Sequence, residues 1–198
     1  GGRGGCWGLF LARGWGGGHA GGWRGGRGED GDLGRLWADL RGPPDTPYAW
    51  ARYRLSVAVP PAYPFKPPAI RFVTGVWHPN VSSASGAICL DVLAEQWAAS
   101  MSLKTVLLSL QVMLGEPVAV SPQDAVVAAQ FLRQPDLFKA TARTWAQLLA
   151  EAPGEPSAEH ANALACLTAA KPVLSRQDAL RLLSTHAWDV QRAIEAAD

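Results

Sequence analysis

Cysteine is scarce in this chain: 198 residues contain three, Cys6, Cys89 and Cys166. Neither a disulfide framework nor a four-ligand zinc site can be built from so few, so widely dispersed, and a reducing compartment is expected. No run of eighteen or more apolar residues occurs, so nothing is expected to span a bilayer as a helix. The apolar stretch from Trp7 to Ala12 is shorter than the apolar region of a signal peptide, and no clean cleavage pattern follows it. An excess of either charge is also lacking. Eighteen basic and seventeen acidic side chains leave a formal charge of +1, so no global field draws the chain to nucleic acid or an anionic membrane. The expected location is the cytoplasm, with the nucleus as a second compartment.

What the chain has in plenty is glycine, and it is unevenly placed. Fifteen of the twenty-one glycines lie in the first thirty-one residues, among Arg3, Arg13, Arg24, Arg27, Trp7, Trp15 and Trp23. Such a stretch buries too little surface to offset its backbone entropy, which predicts a disordered extension over residues 1–31. Arginine, glycine and indole together also occur in tails that stack on single-stranded nucleic acid. Here Glu29 and Asp30 partly offset the arginines and no unit repeats, so nucleic acid is not an expected partner.

Order is predicted from residue 32. Leu33 to Leu40 is compatible with a strand, and Gly42 to Pro47 with a turn. Tyr53, Leu55, Val57 and Val59 alternate with Arg52, Arg54, Ser56 and Ala58, the period of a strand with one buried face. Tyr63-Pro64-Phe65-Lys66-Pro67-Pro68 is an extended, fixed loop, and Ile70 to Val73 a further short strand. The period then lengthens. Leu103, Val106, Leu107, Leu110 and Leu114 mark a helix capped by Ser102. Ser121-Pro122 is the expected start of a second helix running to about Phe131, and Pro135 to about Ala150 is a third. Strands first and helices afterwards give an α+β class, an antiparallel sheet of about four strands backed by helices. This core occupies residues 32–151. A Pro/Gly linker over 152–157 leads to a small three-helix module at 158–198, with Ser157 and Ser175 as caps and a core of its own.

Only between the last strand and the first helix do reactive side chains cluster outside a periodic element. His78-Pro79-Asn80 is followed nine residues later by Cys89 and then by Asp91. Functional groups tend to sit on loops held by a rigid scaffold. An isolated cysteine can equally be a small buried hydrophobe. His78 is by type a possible base for a cysteine nucleophile, although a histidine before a proline also suits a hydrogen-bonding hub. Metal binding is not expected, because His78, Cys89 and Asp91 lack the paired spacing of a zinc site.

His78-Pro79-Asn80 with Cys89, the upstream Tyr63-to-Pro68 segment and the downstream Gln96-Trp97 together resemble the ubiquitin-conjugating enzymes over residues 33–150. Gly42 to Tyr48, Gly86 to Asp91, Pro122 to Val127 and the tail around Trp188-Asp189-Val190 are similar to the subclass of these enzymes whose tail is a ubiquitin-associated domain. The resemblance implies that Cys89 accepts ubiquitin as a thioester from the ubiquitin-activating enzyme and surrenders it to a lysine amine. It implies no cofactor, ATP being used upstream by the activating enzyme, and its partners are ubiquitin, that enzyme, ubiquitin ligases and protein substrates. Asn80 would donate to the developing oxyanion, and His78 would hold the loop that aims Asn80. Ser121 would orient the incoming lysine, with Asp91 and Asp124 as neighbouring carboxylates. Phe65 with Ala98, Ala99 and Ser100 matches the surface that meets ligases, although Phe65 could also pack inward. Trp77 and Trp97 are expected as core residues beside the cysteine.

Two departures from the pattern stand out. The glycine-rich stretch occupies the place of the family's basic amphipathic first helix, which bears on charging and leaves a second reading, a non-catalytic binding module of the same fold. In the tail, Leu167 to Leu174 lacks the usual Met-Gly-Phe loop, so the tail is expected to bind ubiquitin weakly or only to pack on the core.

Overall fold

In the computed structural model, residues 34–88 and 97–198 are described in full, together with the backbone of residues 23–27. Four antiparallel strands follow one another as a meander: β1 (Trp23–Arg27), β2 (Arg35–Arg41), β3 (Arg52–Ala58) and β4 (Ala69–Phe72). The alternation read in β3 is a buried face, since Tyr53, Leu55 and Val57 point into the core while Arg52, Arg54 and Ala58 are exposed.

The first strand corrects the expected extension over residues 1–31. Residues 23–27 pair with β2 in a register that sets Gly25 opposite Ala38 and Gly26 opposite Trp37. Composition misses such a strand because ladder pairing uses main-chain N–H and C=O groups, which glycine supplies as well as any residue, and the edge of β2 offers a row of them. The rest of the expected extension lies outside the described residues.

Helices α1 (Leu103–Gly115), α2 (Ala125–Arg133) and α3 (Pro135–Leu149) follow. Ser102 caps α1 by accepting from the Thr105 N–H, and Val106, Leu107, Leu110 and Leu114 are buried as their spacing requires. The expected start of α2 at Ser121-Pro122 is not where it begins. Asp124 is the cap, with an extended backbone and a side chain that accepts from the Val127 N–H, while the N–H groups of Gln123 and Asp124 donate to the Pro79 carbonyl and dock the segment before the helix on the loop that follows β4.

The tail forms α4 (Ala158–Ala170), α5 (Arg176–Thr185) and α6 (Val190–Glu195), capped by Ser157, Ser175 and Asp189. It does not stand apart with its own core. The Trp145 indole of α3 donates to Ser184 Oγ at 2.9 Å, the Trp188 indole donates to Thr141 Oγ1 at 2.9 Å, and His160 bonds Thr144 at 2.6 Å while stacking on Trp188. Leu167, Leu180 and Leu183 belong to the same hydrophobic cluster as Leu110 and Trp77. A bundle of about forty residues has little interior, and pooling it with the larger core supplies what it lacks. The expected linker is likewise packed at its start, where Ala152 is buried and donates to the Ala146 carbonyl. Among the described residues no helix is long and apolar enough to cross a membrane.

Candidate functional site

The loop after β4 is built on buried polar anchors. His78 is fully buried; its Nδ1 accepts the Asn80 N–H at 3.1 Å and its Nε2 faces the Met113 carbonyl at 3.1 Å. A backbone N–H can only donate and a carbonyl only accept, so the ring is the neutral tautomer with its hydrogen on Nε2. Burial pushes its pKa down to about 3, against the smaller upward pull of the Met113 carbonyl. Such an imidazole holds two backbone segments together and shuttles no proton near neutrality.

Asn80 is 2% exposed. Its Nδ2 donates to the Val118 carbonyl at 2.7 Å and its Oδ1 accepts the Val118 N–H at 2.9 Å, so the carboxamide imitates a strand partner of residue 118. The second Nδ2 hydrogen has no partner among the described residues.

Downstream, the loop folds back on β4. Gly86 has φ 71°, and its carbonyl accepts the Phe72 N–H; a Cβ there would fall 1.9 Å from the Phe72 carbonyl oxygen. Ser82 bonds Ala87 and Gly86 through its main chain, and Val81 bridges Ile88. The chain is thus fixed up to Ile88. Cys89, Asp91 and Gln96 lie outside the described residues.

On the far side, Trp97 is half-buried, donates through its indole to the Pro64 carbonyl at 2.8 Å and tilts against Tyr63. This contact brings the two expected partner-facing segments together, with Phe65 82% exposed beside the exposed Ala98, Ala99 and Ser100. The alternative of an inward-packed Phe65 is therefore set aside. Trp77, by contrast, is fully buried; its indole donates to Gln130 Oε1 and its ring lies 5.4 Å from that of Trp145.

Ser121 is exposed, next to Val120 at 92%. It sits in the segment whose neighbours dock on the loop, Val118 on Asn80 and Gln123 on Pro79. Asp124, read from the sequence as a candidate carboxylate, is tied up structurally: besides capping α2 it accepts from Ser83 N–H at 3.1 Å and Ser83 Oγ at 2.7 Å. Sequence reasoning did not single out Ser83, or the Met113 and Val118 main chain. The cap signal at Asp124 was available in its residue type and position; the others act through peptide groups or a lone serine, which carry no pattern.

Comparison with known proteins identifies the family. A family model described as "Ubiquitin-conjugating enzyme" matches residues 23–146. The chain is 49% identical over 160 residues to Ubiquitin-conjugating enzyme E2 K of Homo sapiens, covering 81% of this chain and 78% of that one. It is 53% identical over 121 residues to Ubiquitin-conjugating enzyme E2-22 kDa of Drosophila melanogaster, covering 59% and 61%. Among solved structures, the E2 domain of a Toxoplasma gondii ubiquitin conjugating enzyme matches with a TM-score of 0.63 at 41% identity, over 65% of this chain and 89% of that one. The buried His78 and Asn80 at the neck of the loop, the meander sheet and these likenesses converge: the chain belongs to the ubiquitin-conjugating enzymes, of the huntingtin-interacting protein 2 type, and is a ubiquitin transferase working through a thioester.

Proposed function

We propose that Cys89 is the ubiquitin carrier. Its thiolate attacks the thioester held by the activating enzyme, whose thiol leaves; a lysine amine then attacks the new thioester, an amide forms, and the Cys89 thiol is released as the amine proton passes to solvent. A thioester is reactive towards amines and slow with water, so no strong base is needed beside the sulfur. The observation that carries this reading is the anchored loop: His78 and Asn80 pin its start, and main-chain bonds of Val81, Ser82 and Gly86 hold it up to Ile88, one residue short of the cysteine. Asn80 supplies its remaining amide hydrogen to the oxyanion, a contribution of about 3 kcal/mol in comparable sites. Ser121 orients the lysine with a neutral hydroxyl, and Asp91 adds a nearby charge.

Phe65 with Ala98, Ala99 and Ser100 docks ubiquitin ligases, an exposed aromatic on a proline-bound loop being a contact that loses little entropy on binding. The tail is a ubiquitin-associated-like bundle whose main task is packing on the core. The reaction needs no cofactor in this chain and takes place in the cytoplasm and nucleus. Family membership speaks against the alternative of a non-catalytic module.

The test is charging. Given activating enzyme, ATP and ubiquitin, the wild type gains one ubiquitin in a band that collapses with thiol, Cys89→Ser gives a thiol-resistant ester, and Asn80→Ala charges but discharges slowly. A wild type that never charges refutes the reading.

A further inference from the structure

Gln177 sits on α5, in the tail, yet its side chain reaches the loop of the candidate site. Its Nε2 donates to the Ser83 carbonyl at 3.0 Å. Ser83 is 5% exposed and donates through both its N–H and its hydroxyl to Asp124 Oδ2. The same aspartate caps α2, and its own N–H, with that of Gln123, donates to the Pro79 carbonyl at 3.0 and 2.8 Å. Pro79 stands between His78 and Asn80. The tail is thus joined to the His78–Asn80 loop by an unbroken run of hydrogen bonds: Gln177, Ser83, Asp124, Pro79.

The seat of Gln177 is close-fitting. A Cβ on Gly75 would lie 2.8 Å from Leu149 Cδ1 and 2.9 Å from both Cδ and Oε1 of Gln177, so only glycine lets the amide lie over that turn. Ser83 is consequently held from two sides, its carbonyl by the tail and its donors by α2.

We propose that Gln177 is a positioning residue for lysine discharge: the tail, through this amide, holds Ser83 and Asp124 in the register that aims the Pro79-Asn80 peptide. The proposal rests on the carrier reading of Cys89. It gives the tail a part in the chemistry that requires no contact between the tail and ubiquitin. One hydrogen bond of ordinary strength corresponds to about a fivefold change in rate.

The test uses the full chain, charged with ubiquitin and then mixed with free lysine. Gln177→Met keeps the volume over Gly75 and removes the donor. Its thioester yield matches the wild type, its melting temperature falls by no more than the about 2–4 °C that one lost hydrogen bond accounts for, its maximal discharge rate falls about fivefold, and its half-saturating lysine concentration is unchanged. In the uncharged chain, hydrogen exchange at the amides of Ser83, Gln123 and Asp124 quickens by about the same factor. Gln177→Lys, which restores a donor, recovers part of both losses. A wild type that charges and discharges, with a Gln177→Met variant equal to it in rate or in exchange, overturns the proposal alone. A wild type that takes up no ubiquitin overturns the carrier reading and this proposal together.

Discussion

Replacing Asn80 by alanine separates two duties that kinetics alone would merge. The side chain makes two hydrogen bonds to the main chain of Val118, at 2.7 and 2.9 Å, and is 2% exposed. Alanine leaves the Val118 N–H and C=O without those partners. A fully buried orphan costs about 1–3 kcal/mol, but Val118 is 54% exposed, so water reaches part of its main chain and the lower end applies to each group. The sum is about 2 kcal/mol, which in a chain of this size corresponds to a fall in melting temperature of about 4–8 °C. An oxyanion donor acting only in the transition state would instead cost about a hundredfold in discharge and leave the melting temperature where it was. The structure therefore predicts both effects in one variant. Calorimetry and single-turnover discharge from the preformed thioester are the paired measurements. A melting temperature within about 1 °C of the wild type, against the shift expected here, would refute the account of Asn80 as a clamp.

The buried neutral His78 makes stability depend on acid. Its folded pKa of about 3 lies below the ordinary 6.5, so the unfolded chain takes up a proton that the folded chain refuses; the contribution is complete above about pH 6.5 and is lost at about 1.4 kcal/mol per pH unit on the way down to about 3. Urea melts from pH 7 to pH 4 should show that slope reduced by one proton's worth in His78→Gln, and equal slopes would contradict the burial of His78 as a neutral ring. Deleting residues 157–198 removes the Ser184 and His160 partners of Trp145 and Thr144 and uncovers an apolar face of α3, so the remaining core should melt well below the full chain; a truncated core of unchanged melting temperature would restore the tail to independence. Gly86→Ala meets both a φ of 71° and a carbonyl 1.9 Å away, and a loss of more than about 3 kcal/mol is expected in denaturant titration, whereas a loss below 1 kcal/mol would mean the turn relaxes freely.

Much of this was legible in the residues because it is written in periods and caps. The two-residue rhythm of β3, the three- and four-residue rhythm of α1, and serines 102, 157 and 175 each correspond to a local physical demand that a single segment states by itself. The motif around His78 and Asn80 was visible as a cluster, and the exposed Phe65 was one of two orientations that a proline loop allows. What was not legible depends on groups with no sequence signature. β1 is recruited through its backbone, α2 starts late because Asp124 rather than Ser121 caps it, and the tail docks through indole and hydroxyl contacts that periodicity places on a face without naming its partner. Ser83 and Gln177 belong to that second kind.

Asn80 grips a peptide unit, and a peptide unit is common to nearly every amino acid. Position 118 can therefore hold almost any residue while the grip stays intact, and a survey that swaps its side chain would pronounce the site unimportant. Proline, which has no N–H to offer, or an ester in place of the amide, would expose what such a survey overlooks.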